Sequence, residues 1–177
     1  MPGFLNPSEI VKKLPIMPGM NIADFGAGSG FFSIAFAKAL NNKGRVFSLD
    51  IWEKALEALR IRARIEKVFP MIETQVADLG RINGSKLKPE SINLVLISNI
   101  LFQMQEKKNI IKEANRVLDK DGLLVIIDWN SSDLPNKEMH YSLEKPEMKK
   151  LVLDSGFKFK EEIYVSDTHY CLIFTKI

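Results

Sequence analysis

The sequence contains very few of the residues that form disulfide bonds or metal centres. Cys171 is the single cysteine, so an internal disulfide and a cysteine-rich metal site are both excluded. His140 and His169 are the only histidines, too few to predict a metal centre. We therefore expect no metal ion in this protein.

The chain also lacks long apolar runs and a large charge of one sign. No segment approaches the roughly 20 apolar residues that a membrane span requires. The first residues do not show the basic stretch and apolar run of a secretory signal, so a cytoplasmic location is expected. The formal charge of +3 is too small to predict nucleic-acid binding by itself.

What is present is an alternation of strand and helix patterns along 177 residues. Strands are predicted at 21–25, 45–50, 71–78, 92–99 and 123–129, with amphipathic helices between most of them. The last two apolar patterns, 157–165 and 169–177, are separated by a short turn and predict a hairpin. We expect an α/β fold with a mostly parallel sheet and one antiparallel strand. Residues 1–177 are expected to form a single domain, with a short N-terminal helix at about 7–14, for which Ser8 is a candidate cap, and no separate lid domain.

A glycine-rich stretch, DFGAGSG at residues 24–30, lies where the first strand meets the first helix of the alternation. Ligands of open α/β sheets bind beyond the carboxyl ends of the strands, so this stretch is a candidate binding loop. It is not a P-loop, because no lysine follows before Lys38. It also departs from the dinucleotide pattern G-x-G-x-x-G, which would require glycine where Phe31 stands. An NAD(P)-dependent oxidoreductase therefore stays only a weaker alternative.

The pattern D-x-G-x-G-x-G resembles the first motif of class I S-adenosylmethionine-dependent methyltransferases. The segments SINLVLISNILFQM, EANRVLDKDGLLVIID and SGF resemble later motifs of the same family, and the similarity extends over nearly the whole chain. It is greatest to the small-molecule branch related to ubiquinone and menaquinone biosynthesis. The resemblance implies a three-layer, Rossmann-like, seven-stranded sheet of order 3-2-1-4-5-7-6. It also implies S-adenosylmethionine as cofactor and S-adenosylhomocysteine as product.

The resemblance further implies a set of cofactor-binding residues at the ends of the first four strands. Asp24 is expected to accept from the ammonium group of the methyl donor, and Asp50 from the two ribose hydroxyls. Asp78 is expected to accept from the adenine amino group, with Ile51 and Leu79 against the ring. The remaining candidates are Gly26, Ala27, Gly28 and Gly30 of the glycine stretch, and Ser98 after the fourth strand.

The catalytic and acceptor-binding residues are less constrained by the sequence. Methyl transfer to an aligned nucleophile does not require a general base in every enzyme, so no universal catalytic residue is expected. The candidates for a catalytic role are His140, Tyr141 and Asp128. The candidates for acceptor binding are Asn99, Phe102 and Trp129. His169 and Cys171, in the predicted hairpin, are expected to be structural.

The main hypothesis is therefore a methyltransferase acting on a small molecule. An RNA or protein methyltransferase is the first alternative, although the asparagine-proline-proline-aromatic signature of amino methylation is absent. A catalytically idle, S-adenosylmethionine-binding subunit or regulator is the second. The sequence does not determine the acceptor or the oligomeric state.

Overall fold

A seven-stranded sheet organises the protein, for which the computed structural model describes residues 5–130 and 141–177. The strands are β1 Asn21–Phe25, β2 Arg45–Asp50, β3 Ile72–Val76, β4 Ile92–Ser98, β5 Leu118–Trp129, β6 Phe157–Glu162 and β7 His169–Lys176. The helices are α1 Pro7–Lys13, α2 Phe31–Ala39, α3 Glu53–Ile65, α4 Lys107–Val117 and α5 Lys145–Leu153. Two short 3-10 helices, Phe69–Met71 and Leu101–Gln103, precede β3 and follow β4.

The strand order is β3-β2-β1-β4-β5-β7-β6, as the resemblance implies. The pairs formed by β1 to β5 are parallel, whereas β7 is antiparallel to both β5 and β6. The carboxyl ends of β1 to β5 therefore lie at one edge of the sheet, together with the beginning of β7. The predicted fold class is confirmed.

Local structure differs from the predictions in three places. Helix α1 is capped by Asn6, whose side-chain oxygen accepts from the backbone N–H of Glu9 at 3.3 Å, so the prediction of Ser8 as the cap was wrong. Strand β5 begins at Leu118, before the predicted start at residue 123, and its register with β4 shifts between Ile92 and Leu94. The connection between β6 and β7 spans residues 163–168 and is longer than the predicted turn.

Each face of the sheet carries its own layer of helices and its own apolar core. Helices α1, α2 and α3 cover what we call the first face, where Ile22, Leu96 and Ile127 are buried. Helices α4 and α5 cover the second face, where Ala23 and Ile97 are buried. Because successive side chains of a strand point to opposite faces, neighbouring residues at a strand end reach different surroundings.

The connection from β3 to β4, residues 77–91, contains no helix and is anchored by buried polar groups instead. Ser85 is fully buried and donates its backbone N–H to Glu113 of α4 at 3.0 Å and its hydroxyl to the same carboxylate. Arg116 forms an ion pair with Glu113 at 2.7 Å. This anchor holds the loop that follows Asp78 against the second face.

None of the helices in the described part of the chain has the length and apolar character that crossing a membrane requires.

Candidate active site

Two cavities open at the carboxyl edge of the sheet and meet at Gly26. The larger cavity has a volume of about 640 Å³ and lies on the first face. The smaller cavity has a volume of about 370 Å³ and lies beside the ends of β2 and β3. The larger is lined by Leu5, Pro7, Asp24, Gly26, Ala27, Gly28, Ser29, Phe31, Phe32, Ser98, Asn99, Trp129 and His169. The smaller is lined by Gly26, Asp50, Ile51, Trp52, Ala77, Asp78, Leu79, Gly80, Ile100, Gln103, Met104 and Ile110.

The glycine loop separates the two cavities, and its glycines have different surroundings. Gly28 and Gly30 have φ angles of 53° and 82°, in the left-handed region that favours glycine. A Cβ atom at Gly30 would lie 2.3 Å from Cγ of Leu59, so this glycine allows α3 to pack against the loop. A Cβ atom at Gly28 would meet no atom within 4 Å. Gly28 therefore keeps the backbone open to the larger cavity.

Asp24 is a buried carboxylate in the wall of the larger cavity. Its side chain is 2% exposed and accepts a hydrogen bond from the Ser33 hydroxyl at 2.6 Å. The Ser48 hydroxyl donates in turn to Ser33 at 2.7 Å. Burial, reinforced by the nearby charge of Asp50, raises the pKa of Asp24 to about 6, although the Ser33 hydrogen bond opposes this shift. A cation in the cavity would stabilise the ionised form of this carboxylate.

Asp50 holds the glycine loop through main-chain hydrogen bonds. One carboxylate oxygen accepts from the N–H of Gly28 at 2.8 Å, and the other accepts from the N–H of Trp52 at 2.9 Å. Each carboxylate oxygen has two lone pairs, so both can accept a further hydrogen bond from a ligand. The carboxylate lines the smaller cavity, where two adjacent hydroxyl groups would find two acceptors.

Asp78 lines the smaller cavity, and each of its carboxylate oxygens interacts with a neighbouring residue. One oxygen accepts from the backbone N–H of Gly80 at 3.1 Å, and the other pairs with Nε of Arg81 at 2.7 Å. The Arg81 side chain is 81% exposed, and such a surface pair contributes little. Ile51 is exposed and Leu79 is buried, and both line this cavity, while their contact with an adenine ring stays a prediction.

The opposite wall of the larger cavity comes from the ends of β4, β5 and β7. Ser98 and Asn99 follow one another at the end of β4, and the N–H of Asn99 donates to the carbonyl of Ile127 at 2.9 Å. Trp129 ends β5, and its ring centroid lies 4.0 Å from that of His169. Nδ1 of His169 lies 2.9 Å from the Thr168 hydroxyl.

His169 is a site residue that the sequence reasoning missed. We expected it to be structural, yet the antiparallel register pairs it with Trp129 and places it in the cavity wall. The sequence contained one relevant feature, which is that the second strand of the hairpin begins at His169. If that strand is antiparallel to β5, its first residue lies beside the carboxyl end of β5. Reading it required the register of β7 on β5, which no local pattern supplies.

Other predicted residues lie away from both cavities. Asp128 is 2% exposed on the second face, where it accepts from the N–H of Trp129 at 2.9 Å. Burial raises its pKa to about 6, against its backbone hydrogen bonds and the charge of Lys107. Phe102 is buried, and Tyr141 lies with its ring centroid 5.7 Å from Nζ of Lys107, outside the lining of either cavity. His140 lies outside the described residues.

The two cavities fit a molecule that joins a cationic amino-acid group to a nucleoside. The buried carboxylate of Asp24 suits an ammonium group, and the two oxygens of Asp50 suit the ribose hydroxyls. The open backbone at Gly28 gives the space between them. Among residues 5–130 and 141–177, no cluster of three or more His, Cys, Asp or Glu side chains could hold a metal ion.

Comparison with known proteins agrees with this geometry. Residues 16–166 match the family model described as a methyltransferase domain. The chain belongs to the methyltransferase-domain family. The prediction of a methyltransferase is confirmed at the level of the family.

Three relatives show the range of proteins to which this methyltransferase is similar. The ubiquinone/menaquinone biosynthesis C-methyltransferase UbiE of Hydrogenovibrio crunogenus is 27% identical over 149 residues, which are 82% of this chain and 58% of that protein. The ribosomal protein L11 methyltransferase of Caldicellulosiruptor bescii is 31% identical over 143 residues, 81% of this chain and 44% of that protein. The crystal structure of a SAM-dependent methyltransferase from Aquifex aeolicus superposes with a TM-score of 0.85 and 19% identity, covering 98% of this chain and 90% of that one.

The last similarity shows the fold, and the first two place the chain among methyltransferases with different acceptors. This methyltransferase spans about half the length of the curated relatives that it matches. The parts of those relatives that this chain does not match are therefore not represented in the described cavities.

Proposed function

We propose that this protein transfers a methyl group from S-adenosylmethionine to a small-molecule acceptor. The observation that carries the proposal is the meeting of two unlike cavities at Gly26. The smaller cavity is lined in part by the carboxylates of Asp50 and Asp78. The larger cavity is lined mostly by apolar residues and contains the buried carboxylate of Asp24. A methyl donor bound across Gly26 would present its reactive carbon to the larger cavity.

The proposed donor site uses most of the cofactor-binding residues predicted from the sequence, whereas we now propose packing for Gly30 and acceptor alignment for Ser98. Asp24 binds the ammonium group, the backbone of Gly26 to Gly28 lies along the donor, and Asp50 binds the ribose. Ile51 and Leu79 enclose the adenine ring, and Asp78 accepts from its amino group. When bound, S-adenosylmethionine supplies a methyl carbon that is already activated by the adjacent sulfonium.

The chain itself then has two tasks, which are to align an acceptor and to exclude water. Apolar side chains of Leu5, Pro7, Phe31 and Phe32 line the larger cavity and suit the exclusion of water. Ser98, Asn99 and Trp129 line its opposite side and suit alignment. We propose no direct catalytic role for Asp128 or Tyr141, because neither lines this cavity.

A small-molecule acceptor is supported by the walls of the larger cavity and by one of the relatives. A concave, mostly apolar cavity with a few polar groups is typical of small-molecule sites. The relative named for ubiquinone/menaquinone biosynthesis is a C-methyltransferase that is similar over 82% of this chain. The cytoplasmic location expected from the sequence stays a prediction.

A protein acceptor is the second candidate, favoured by the 31% identity to a ribosomal protein L11 methyltransferase. An RNA acceptor and an idle cofactor-binding subunit stay as weaker alternatives. Transfer of a radiolabelled methyl group separates all four when quinone precursors, phenols, ribosomal proteins and total RNA are offered in parallel. Transfer to an aromatic small molecule is expected, whereas label in protein or RNA alone would contradict the proposed acceptor. Cofactor binding with no transfer to any acceptor would favour the idle subunit.

Donor binding is tested first by calorimetry with S-adenosylhomocysteine and with NAD. We expect binding of the former only, and the reverse result would contradict the proposed function. Asp50→Ala should weaken S-adenosylhomocysteine binding by about tenfold or more, because it removes two charge-assisted acceptors. The matched control is Asp154→Ala, an exposed aspartate at the end of α5, which should bind as the wild type does.

A further inference from the structure

We infer that, at mildly acidic pH, binding of the methyl donor displaces a proton from Asp24, so that occupancy of the donor site is coupled to pH. The proton passes to the solvent, and the ammonium group of the donor replaces it as the group that neutralises the carboxylate. This inference rests on the proposed function and concerns the regulation of the same site. It is carried by the position of Asp24, by the groups around it and by the charge of the ligand.

Asp24 lies where a charge is poorly hydrated but can still respond to a bound ligand. Its side chain is 2% exposed, and the residue lines the larger cavity. A carboxylate that is shielded from water loses hydration when it ionises, so burial favours the neutral form. An opposite charge within about 4–6 Å reverses this preference, and it does so without direct contact. A cation in the larger cavity therefore changes the ionisation of Asp24.

The hydrogen-bond donors that surround Asp24 are neutral. The Ser33 hydroxyl donates to the carboxylate at 2.6 Å, and the Ser48 hydroxyl donates to Ser33 at 2.7 Å. These bonds favour the ionised form, but their donors carry no charge that would neutralise it. The two strands beside β1 place Ser48 and Leu96 next to Asp24, so neither supplies a cation at this level of the sheet.

The charges near Asp24 also favour its neutral form in the empty site. Asp50, at the end of β2, is close enough to act on it and has the same sign. Among the described lining residues of the larger cavity there is no lysine or arginine, and His169 of β7 is the other titratable side chain. Burial and the charge of Asp50 raise the pKa of Asp24 to about 6, against the hydrogen bonds from Ser33. The empty site therefore holds a proton at pH values where an ordinary aspartate has lost it.

The ligand supplies the counter-charge that the chain does not place there. S-adenosylmethionine and S-adenosylhomocysteine both carry an ammonium group on the amino-acid part, which we propose lies near Asp24. An ammonium group favours the ionised carboxylate, so the occupied site binds the proton less tightly than the empty one. By linkage, the proton must weaken ligand binding by the same factor.

The expected pH dependence has a definite sign. Above about pH 7 the carboxylate of Asp24 is ionised before the ligand arrives, so the affinity should be nearly constant. As the pH falls through about 6, a proton must leave before the ammonium group is bound well. The affinity at about pH 5 should therefore be about tenfold lower than at about pH 7.

The experiment compares two ligands by titration calorimetry from about pH 5 to about pH 7. S-adenosylhomocysteine carries the ammonium group, whereas 5′-methylthioadenosine has the same nucleoside and thioether without the amino-acid part. The wild type should lose about tenfold in affinity for the first and less than about twofold for the second. Titration of the adenine, Asp50 or Asp78 would affect both ligands, so the difference between them isolates the ammonium group.

Calorimetry in two buffers with different ionisation enthalpies counts the protons directly. At about pH 6 the wild type should release about half a proton for each S-adenosylhomocysteine bound, because Asp24 is half protonated in the empty site. Binding of 5′-methylthioadenosine should release none.

The variant Asp24→Asn replaces the carboxyl group with a neutral amide of similar shape. Its affinity for S-adenosylhomocysteine should be about tenfold below that of the wild type at about pH 7 and should not change with pH. The two proteins should therefore have similar affinities at about pH 5, where Asp24 of the empty wild type is neutral. The control is Asp154→Asn, at an exposed position at the end of α5, which should follow the wild type at each pH.

Three results would overturn the inference. The first is a wild type whose affinity for S-adenosylhomocysteine is the same at both ends of this pH range. The second is a pH dependence that persists in Asp24→Asn, which would assign it to another group such as His169. The third is an equal release of protons with 5′-methylthioadenosine. A protein that binds S-adenosylhomocysteine at no pH would instead contradict the proposed function, so the two failures are distinguishable.

Discussion

The two faces of the sheet each carry a buried aspartate at the same edge, and the two carboxylates have different surroundings. Asp24, on the first face, contacts serine hydroxyls and opens onto the larger cavity. Asp128, on the second face, accepts from the backbone N–H of Trp129 and lies near the buried ammonium of Lys107. Burial raises the pKa of both to about 6.

The two carboxylates differ in where their interaction partners can come from. Asp24 can gain a partner from a ligand in the larger cavity, whereas Asp128 is surrounded by groups of the protein itself. Asp128 accepts hydrogen bonds from the backbone, and the charge of the buried Lys107 is a smaller influence that favours its ionised form. Asp24 accepts from the Ser33 hydroxyl and has no lysine or arginine partner within residues 5–130 and 141–177, so its charge is left to act on the cavity. We therefore propose that two residues with similar burial and similar pKa shifts have unlike roles, binding for Asp24 on the first face and structural for Asp128 on the second.

The largest expected effect is on protein stability. It compares Gly30, which allows a helix to pack against the glycine loop, with Gly28, which we propose lies along the ligand. Gly30→Ala should lower the free energy of unfolding by about 3 kcal/mol, because a methyl group at positive φ would collide with Leu59. Gly28→Ala should lower it by only about 1 kcal/mol, since there is open space around it. Urea unfolding measures both values. The assignment of Gly28 to the ligand requires that Gly28→Ala weaken S-adenosylhomocysteine binding, and normal binding would refute it.

The second prediction compares the two aspartates directly. Asp24→Asn should weaken S-adenosylhomocysteine binding by about tenfold or more, because it replaces a charged acceptor for the ammonium group with a neutral one. Asp128→Asn should change the affinity by less than about threefold, since charges on the second face do not line the cavity. Calorimetry of the two variants at neutral pH gives the comparison. Equal losses in both would show that the two faces do not differ in the way proposed.

The third prediction concerns the dependence of stability on pH. The pKa of Asp24 is raised from its ordinary 3.8 to about 6, so the folded protein binds a proton more readily than the unfolded chain. Such a group stabilises the fold at low pH, and this contribution is lost as the pH rises through the folded-state value. Relative to the wild type, Asp24→Asn should be more stable at about pH 8 than at about pH 4, by roughly 2 kcal/mol.

Chemical unfolding of the two proteins at both pH values measures this difference. Ile82→Ala, which shortens an exposed apolar side chain in the loop before β4, serves as the control and should show no such pH dependence. A wild type and an Asp24→Asn variant with parallel pH profiles would contradict the raised pKa of Asp24.

Most of the residues proposed to bind the methyl donor could be predicted, because the motifs that indicate them are short and local in the sequence. Asp24 and the glycines lie within seven consecutive residues, and Asp50 and Asp78 each end a predicted strand. In a parallel sheet the carboxyl ends of such strands share one edge, so the residues must converge there. The strand order followed from the family resemblance, and the structure has the same order.

The acceptor half could not be predicted to the same degree because it depends on long-range pairing. His169 reaches the cavity only through the antiparallel register of β7 on β5. Asp128 was a candidate by its position at a strand end, but the alternation of side chains turns it to the second face while Trp129 faces the cavity. Within the part of the chain that the structure describes, Asn99 Oδ1 is buried without a hydrogen-bond partner, and this depends on the packing of a turn that the sequence shows only as the end of a strand.

The sequence by itself determined the fold, the methyltransferase family and the residues proposed to hold the methyl donor, because these depend on patterns repeated along neighbouring residues. Only the tertiary structure decided which side of the sheet each strand-end residue faces, which of two buried carboxylates opens onto a cavity, and which oxygen lacks a partner. These properties arise from strand register and side-chain burial, and both are set by contacts between residues far apart in the chain.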